Sequence, residues 1–300
     1  MTFLSLVIVL LLVQWWGSGK PLQRDEWFYR WWQWLQAHAG ERLPAGAVGF
    51  LAVACPSLVL LGLVLVIGWY LPAVWLLLVN VPVLLYSLGR GEFSQSLQKY
   101  LEAARADNSV RAAQVLDEMN LDPGLRCERE GDNWMQLHQE ALRVFSYRGF
   151  ERMFAVLFWF LVAGAVGALV YRLVVLLRAH LLEQNDPAAR SVNCAAHWLE
   201  WPAARLMGVS WALVGNFEAC IKPWRQYCLD TRVSTPVYLA AVLSGALGDE
   251  RHWPDSDAAT TQGARIEPAY SLQLVAHTGA MFSRALLLWV FAAALIILIV

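Results

Sequence analysis

Apolar positions along this 300-residue chain gather into long unbroken runs, and the stretches between them alternate in a helical rhythm. That pattern predicts membrane helices joined by amphipathic helices. The longest run is Phe154 to Leu177, FAVLFWFLVAGAVGALVYRLVVLL, with Arg172 as its one formal charge. At about 1.5 Å per residue it would extend roughly 36 Å, enough to cross an apolar layer of roughly 30 Å with some tilt. Within it Ala163 and Gly167, like Gly164 and Ala168, stand four apart, which predicts a groove for a neighbouring helix. Thr2–Trp16 is shorter and has neither a basic leader nor a small-residue cleavage site, so it reads as a retained membrane helix. Ala47–Tyr70 and Ala73–Leu88 form a hairpin around Leu71-Pro72, with Asn80 and Pro82 in its second arm; Asn80 is expected to bond another helix. Trp201–Ala219 is only just long enough to span, and Arg284–Val300 closes the chain.

The polar stretches have their own patterns. Trp27, Arg30, Trp31 and Trp34 recur at helical spacing and predict an interfacial helix over 20–38, its rings in the headgroup zone. In 89–153, Phe93, Leu97, Tyr100, Leu101 and Ala104 form one apolar stripe, and Trp134, Leu137, Ala141, Leu142 and Phe145 form another. Asp107-Asn108-Ser109 should end one helix and cap the next, Asp122-Pro123-Gly124 should turn, and Ser256 to Gly263 should be a loop. The expected class is an all-α integral membrane protein with about four to six membrane helices plus amphipathic cytoplasmic helices. Its regions are 1–88, a cytoplasmic 89–153, 154–221, a polar cytoplasmic 222–282, and a last helix over 283–300. If all six apolar segments cross, 17–46, 89–153 and 222–282 share the basic, inner side, leaving Arg178 and Arg190 on the other.

Composition narrows the class. Hydrophobic residues make up 58% and charged ones 16%, against about 25% charged in soluble domains. A net charge of −1 indicates neither nucleic-acid binding nor a polybasic anchor, so the partners expected from composition are membrane lipids. Sixteen Trp suit a chain with much water–lipid boundary. The five Cys (Cys55, Cys127, Cys194, Cys220 and Cys228) show no CxxC or zinc spacing and read as mostly reduced or buried thiols.

Candidate chemistry lies where polar helices meet apolar ones. Glu140, Arg143, Arg148, Glu151 and Arg152 precede the central run, at spacings that fit a solvated ion-pair face. The same residues fit a cationic pocket for an anionic ligand, since guanidinium matches carboxylate and phosphate with paired donors. Glu200 and Arg205 open the weak span, where ionisable groups are costly and raise the expectation of function. Arg172 reads as snorkelling and His138 as a surface histidine. Gly17-Ser18-Gly19-Lys20-Pro21 lacks phosphate-loop spacing, and no metal motif or activated nucleophile stands out, so no catalytic residue is assigned.

Two blocks carry a family resemblance: Phe154 to Leu173, and LEWPAARLMGVSWALVGNFE from Leu199 to Glu218. In the second, Leu199, Glu200, Trp201, Arg205 and Leu206 fit a pattern L-D/E-W-x-P-x-R-L, with the proline one place early at Pro202. On these blocks and on the order of segments the chain resembles the AmpE family, in the wider group that includes the cobalamin-biosynthesis proteins CobD and CbiB. The resemblance implies a multi-pass protein of the bacterial inner membrane, acting as an accessory or signalling component in peptidoglycan recycling and β-lactamase induction. It implies a link to the AmpD pathway and a muropeptide or nucleotide as ligand. The CobD and CbiB side implies an alternative, ATP-dependent amide synthesis with ATP and Mg. Those proteins carry an Asp late in the first helix, then G-D-P, and an E-N-T-x-D-G block. Here Gln14, Gly17 to Pro21, and Ser146-Tyr147-Arg148-Gly149-Phe150-Glu151 stand instead, which argues against an enzyme. A carrier of anionic cell-wall fragments is the third reading; it would want more polar residues inside the spans.

Overall fold

The computed structural model describes residues 2–16, 25–40, 44–72, 74–88, 93–120, 133–184, 186, 188–248 and 268–299. The side chain of Gln14, the Gly17–Pro21 stretch, the Asp122–Gly124 turn, Cys127 and the 256–263 loop lie outside the described residues. All regular structure among them is helical, as an all-α membrane protein requires. By length and composition three helical runs could cross a bilayer: Gly46–Tyr70, Trp134–Glu183 and Leu272–Leu295. Phe3–Val13, Trp75–Ser87 and Thr235–Ala246 are shorter apolar helices.

The chain divides into two compact units. One comprises 1–91, 151–203 and 293–300; the other comprises 92–150 and 204–292.

The first unit is built from α1 (Thr2–Trp16), α2 (Glu26–Ala39), α3 (Ala45–Tyr70), α4 (Trp75–Ser87), α8 (Ala155–Glu183) and the first half of α9 (Ala189–Val214). α4 packs on α8 and α1, and α3 on α8. α3 keeps an apolar outer surface that includes Phe50, Leu58, Val59 and Trp69, as lipid contact requires. α2 buries Phe28, Trp32 and Leu35 and leaves Trp27 and Trp34 outside. Pro56, inside α3, cannot donate to the Ala52 carbonyl. The Trp31 indole supplies that missing donor at 3.2 Å, fastening α2 to α3.

The central run is not one straight helix. Ala163 (φ −128°, ψ 17°) and Gly164 (φ 63°, ψ −154°) break it into 155–162 and 165–183. The Gly164 backbone lies in a region that residues with a Cβ scarcely enter. A Cβ on Gly167 would fall 2.5 Å from the Trp159 carbonyl oxygen, so the two halves cross in contact just beyond the break. The small residues therefore serve a turn and a close approach within the run, where the pattern alone reads as a groove for another helix. Apolarity measures where a chain sits; it does not show that the chain runs straight.

The six-crossing topology also needs correction. It puts α2 and the far end of the central run on opposite faces, yet Arg172 meets Asp25 at 3.1 Å and the Tyr29 ring lies 4.9 Å from His180. Contacts of this length cannot bridge roughly 30 Å of lipid. A count of basic residues in loops is blind to a turn made inside an apolar run.

The second unit contains α5 (Phe93–Arg105), α6 (Ser109–Met119), α7 (Trp134–Gly149), the rest of α9, α10 (Phe217–Tyr227), α11 (Thr235–Ala246) and most of α12 (Pro268–Ile299). Asn108 accepts from the Arg111 amide at 2.9 Å and so caps α6, as its place before Ser109 predicts. Leu97, Tyr100, Leu116, Met119, Leu137, Ala141 and Phe145 interlock α5, α6 and α7 in one apolar core. α11, set inside a polar stretch of sequence, is buried along its length. Gly245 lets α11 approach the Ala219 carbonyl of α10, which Pro223 leaves without its helical donor. α12 begins at Pro268, well before Arg284.

Candidate functional site

The seven candidate residues fall in both units. Glu140, Arg143, Arg148 and Arg205 belong to the second, and Glu151, Arg152 and Glu200 to the first.

In the second unit α7 carries the first three. Glu140 and Arg148 are buried, and Arg143 is half-buried. The solvated ion-pair face that their spacing allows is thus not what forms, because packing covers almost every side of α7 from Leu137 onward. Arg148 donates from Nε to the Met119 carbonyl at 2.6 Å. Met119 ends α6, so the guanidinium meets the negative end of a helix. The Arg143 Nε is buried with no acceptor among the described residues. His138 corrects the surface reading: it is 3% exposed, its Nδ1 lies 2.8 Å from the Tyr100 hydroxyl, and Trp134 stacks on its ring. Burial pushes its pKa down to about 4.

Arg205 repeats the Arg148 arrangement more fully. Nε donates to the Cys228 carbonyl at 3.1 Å, and Nη2 to those of Tyr227 at 3.1 Å and Asp230 at 3.0 Å. Tyr227 ends α10, so this arginine holds a helix terminus and the loop that follows. Its guanidinium carbon lies 4.1 Å from the Tyr238 ring centre, a cation–π contact in a buried setting.

In the first unit the arginines face carboxylates. Arg178 Nη1 meets Glu200 Oε1 at 3.3 Å, with side chains only 10% and 3% exposed. Beside it the Trp159 indole donates to the Leu199 carbonyl at 3.0 Å, tying the broken run to α9. Glu151 is buried and Arg152 half-buried in the π-helical turn Phe150–Phe154. The Arg172–Asp25 pair forms a second, part-buried couple, and near it the Trp27 indole donates to the Tyr86 hydroxyl at 3.1 Å. Arg172 therefore has a partner carboxylate in place of a snorkelling role.

Sequence reasoning passed over Arg178, Asp25 and Tyr238. Arg178 lies just past the central run and entered only the charge count, Asp25 lies in an interfacial stretch, and Tyr238 in a region read as polar. Reading Glu200 as an expensive charge that demands a partner was the available signal for the first.

A magnesium–nucleotide site draws on one or two carboxylates together with the phosphates themselves. Glu200 and Asp25 instead meet arginines, and among the described residues no three His, Cys, Asp or Glu gather as metal ligands.

Comparison with known proteins gives the family. The AmpE of Shigella flexneri is 28% identical over 188 residues, 58% of this chain and 65% of that protein. The cobalamin biosynthesis protein CobD of Stutzerimonas stutzeri is 37% identical over 105 residues, 33% of this chain and 34% of that protein. CobD of Chromobacterium violaceum is 31% identical over 191 residues, 60% of this chain and 58% of that protein. The chain thus spans less than two thirds of the length of each of these relatives. No solved structure matches. The model of the family described as regulatory signalling modulator protein AmpE matches residues 1–295, and this membrane protein belongs to the AmpE family.

Proposed function

We propose that the protein is a multi-pass accessory or signalling component of the bacterial inner membrane, linked to peptidoglycan recycling and β-lactamase induction through the AmpD pathway. The observation that carries this reading is the match of residues 1–295 to a regulatory signalling family. The ligand is an anionic wall fragment or nucleotide held at the cytoplasmic membrane edge. Its candidate contacts are Glu140, Arg143, Arg148 and Arg205 in the second unit or, as a separate set, Glu151, Arg152 and Glu200 in the first. Arg143 is the first of these to test, because its buried Nε has no acceptor among the described residues, and a buried donor favours any group that satisfies it. Arg148 and Arg205 have helix ends to hold, so their loss would disturb folding as well as binding.

The test is inducible β-lactamase activity in a host deleted for the protein and complemented with wild type or Arg143→Ala. Deletion is expected to change the response to a β-lactam and wild type to restore it. Arg143→Ala should accumulate normally and fail to restore it. Unchanged induction on deletion overturns the reading. The two CobD matches favour a second reading, ATP-dependent amide formation. Tight nucleotide–magnesium binding by purified protein, lost in Arg143→Ala, would favour it over the first.

A further inference from the structure

We infer that the apolar run 154–177 does not cross the bilayer: it enters and leaves by one face as a re-entrant helical hairpin, its tip at Leu161–Gly164 lying among lipid acyl chains. The inference is independent of the proposed signalling role.

The first support is where the two flanks meet. Tyr86 lies in the last turn of α4 and bonds Trp27, two residues from Asp25, which pairs with Arg172 near the far end of the run. Tyr29 of α2 touches His180, two residues beyond Arg178. Arg172 therefore lies at the membrane level where the chain leaves α4. Among the described residues between them, Phe93–Arg105, Ser109–Met119 and Trp134–Gly149 are short amphipathic helices. Within the first unit Gly167 closes on Trp159, eight residues earlier, so the run turns back on itself before it reaches Arg172.

The second support is the turn itself. Gly164 takes the backbone conformation that reverses the path, and Gly167 lets the Trp159 carbonyl close on it. From Arg172 to Gly164 the helix descends roughly 12 Å, at about 1.5 Å per residue, so the tip stops within an apolar layer of roughly 30 Å. The third support is the tip's surface. Leu161 and Val162 are 41% and 63% exposed, and a Cβ on Gly164 would meet nothing within 4 Å. Every side chain there is apolar, which fits acyl chains and no polar partner.

The test uses single cysteines in a chain with its native cysteines replaced, labelled in sealed vesicles of either orientation by a membrane-impermeant maleimide. Lys99→Cys and Gln184→Cys should label from one side, and Tyr70→Cys, on the α3–α4 turn, from the other. Labelling of positions 99 and 184 from opposite sides overturns the inference. If the cysteine-free chain does not accumulate, trypsin sites at Arg105 and Arg190 in the native chain give the same comparison. A fluorophore on Val162→Cys should be quenched several-fold by brominated acyl chains and little by aqueous iodide. Strong iodide quenching, or no quenching by brominated lipid because a second copy covers the tip, overturns the lipid-embedded tip.

Discussion

The two units bury arginine in different ways. In the first, Arg178 meets Glu200 and Arg172 meets Asp25, full charge against full charge. In the second, Arg148 meets the carbonyl that ends α6, and Arg205 meets the carbonyls that end α10, a full charge against the roughly half charge of a helix terminus. The first arrangement lowers the cost of holding ions among apolar helices, where an uncompensated charge is least tolerable. The second fixes a helix end and directs the chain that leaves it. The difference teaches which residue can be exchanged: an ion pair fails when either half is removed, whereas a guanidinium on carbonyls can be replaced in part by any long donor.

The largest expected effect comes from breaking the pair. Glu200→Ala leaves Arg178 buried beside an apolar gap, and removing one partner of a buried pair costs about 3–5 kcal/mol. Arg178→Met should cost less than that, and Arg178→Met with Glu200→Leu should recover much of the loss, since two apolar chains of similar volume leave no charge behind. Thermal unfolding of the detergent-solubilised protein measures the cycle. A double variant no better than Glu200→Ala would show that the pair is not the source of the stability.

On the other side of the comparison, Arg205→Met removes three donated bonds and a cation–π contact, for about 2–3 kcal/mol. Arg205→Lys should keep part of this, because an ammonium still reaches a carbonyl but lacks the planar fork. Amide exchange should rise first over residues 228–234, the segment that Arg205 holds. Uniform loss of protection across the second unit would instead make Arg205 a general core residue.

Gly164→Ala is expected to cost about 1–3 kcal/mol through backbone strain, although a methyl group meets no neighbour there. A neutral result would show that the turn can be made with other dihedral angles.

What was legible in the sequence follows from the kind of force involved. Caps and stripes are local, so Asn108 and the α5 and α7 core positions could be read from spacing. The family was legible because its two blocks are contiguous. The break at Gly164 was not, since a run of apolar residues reads the same whether it turns or continues, and glycine in a membrane helix has an equally good reading as a packing site. The partners of Glu200 and Arg172 were hidden because pairing over 22 or 147 residues leaves no periodic trace. Burial of α7 on almost every side was hidden for a related reason: its stripe shows one apolar face, and α11, which packs on it, lies in a stretch whose polar ends mask an apolar middle.

The smallest effect sharpens the contrast between charged and neutral burial. His138 is held neutral in the α5–α7 core, its ring bonded to Tyr100 and stacked on Trp134, whose indole donates to Asp107 at 2.7 Å. With a folded pKa of about 4 against 6.5 for the free side chain, both states are neutral above pH 6.5 and the group has no influence on stability there. Between pH 6.5 and 4 the unfolded chain takes up a proton that the folded one refuses, so stability falls as pH falls; below pH 4 both states are protonated and the penalty levels off. His138→Gln keeps a polar partner for Tyr100 and cannot titrate. Its melting temperature should therefore drop less than that of wild type between pH 7 and pH 5. Equal drops would place the acid sensitivity elsewhere. The pairs of the first unit are common to the two proteins and should leave this difference between them untouched.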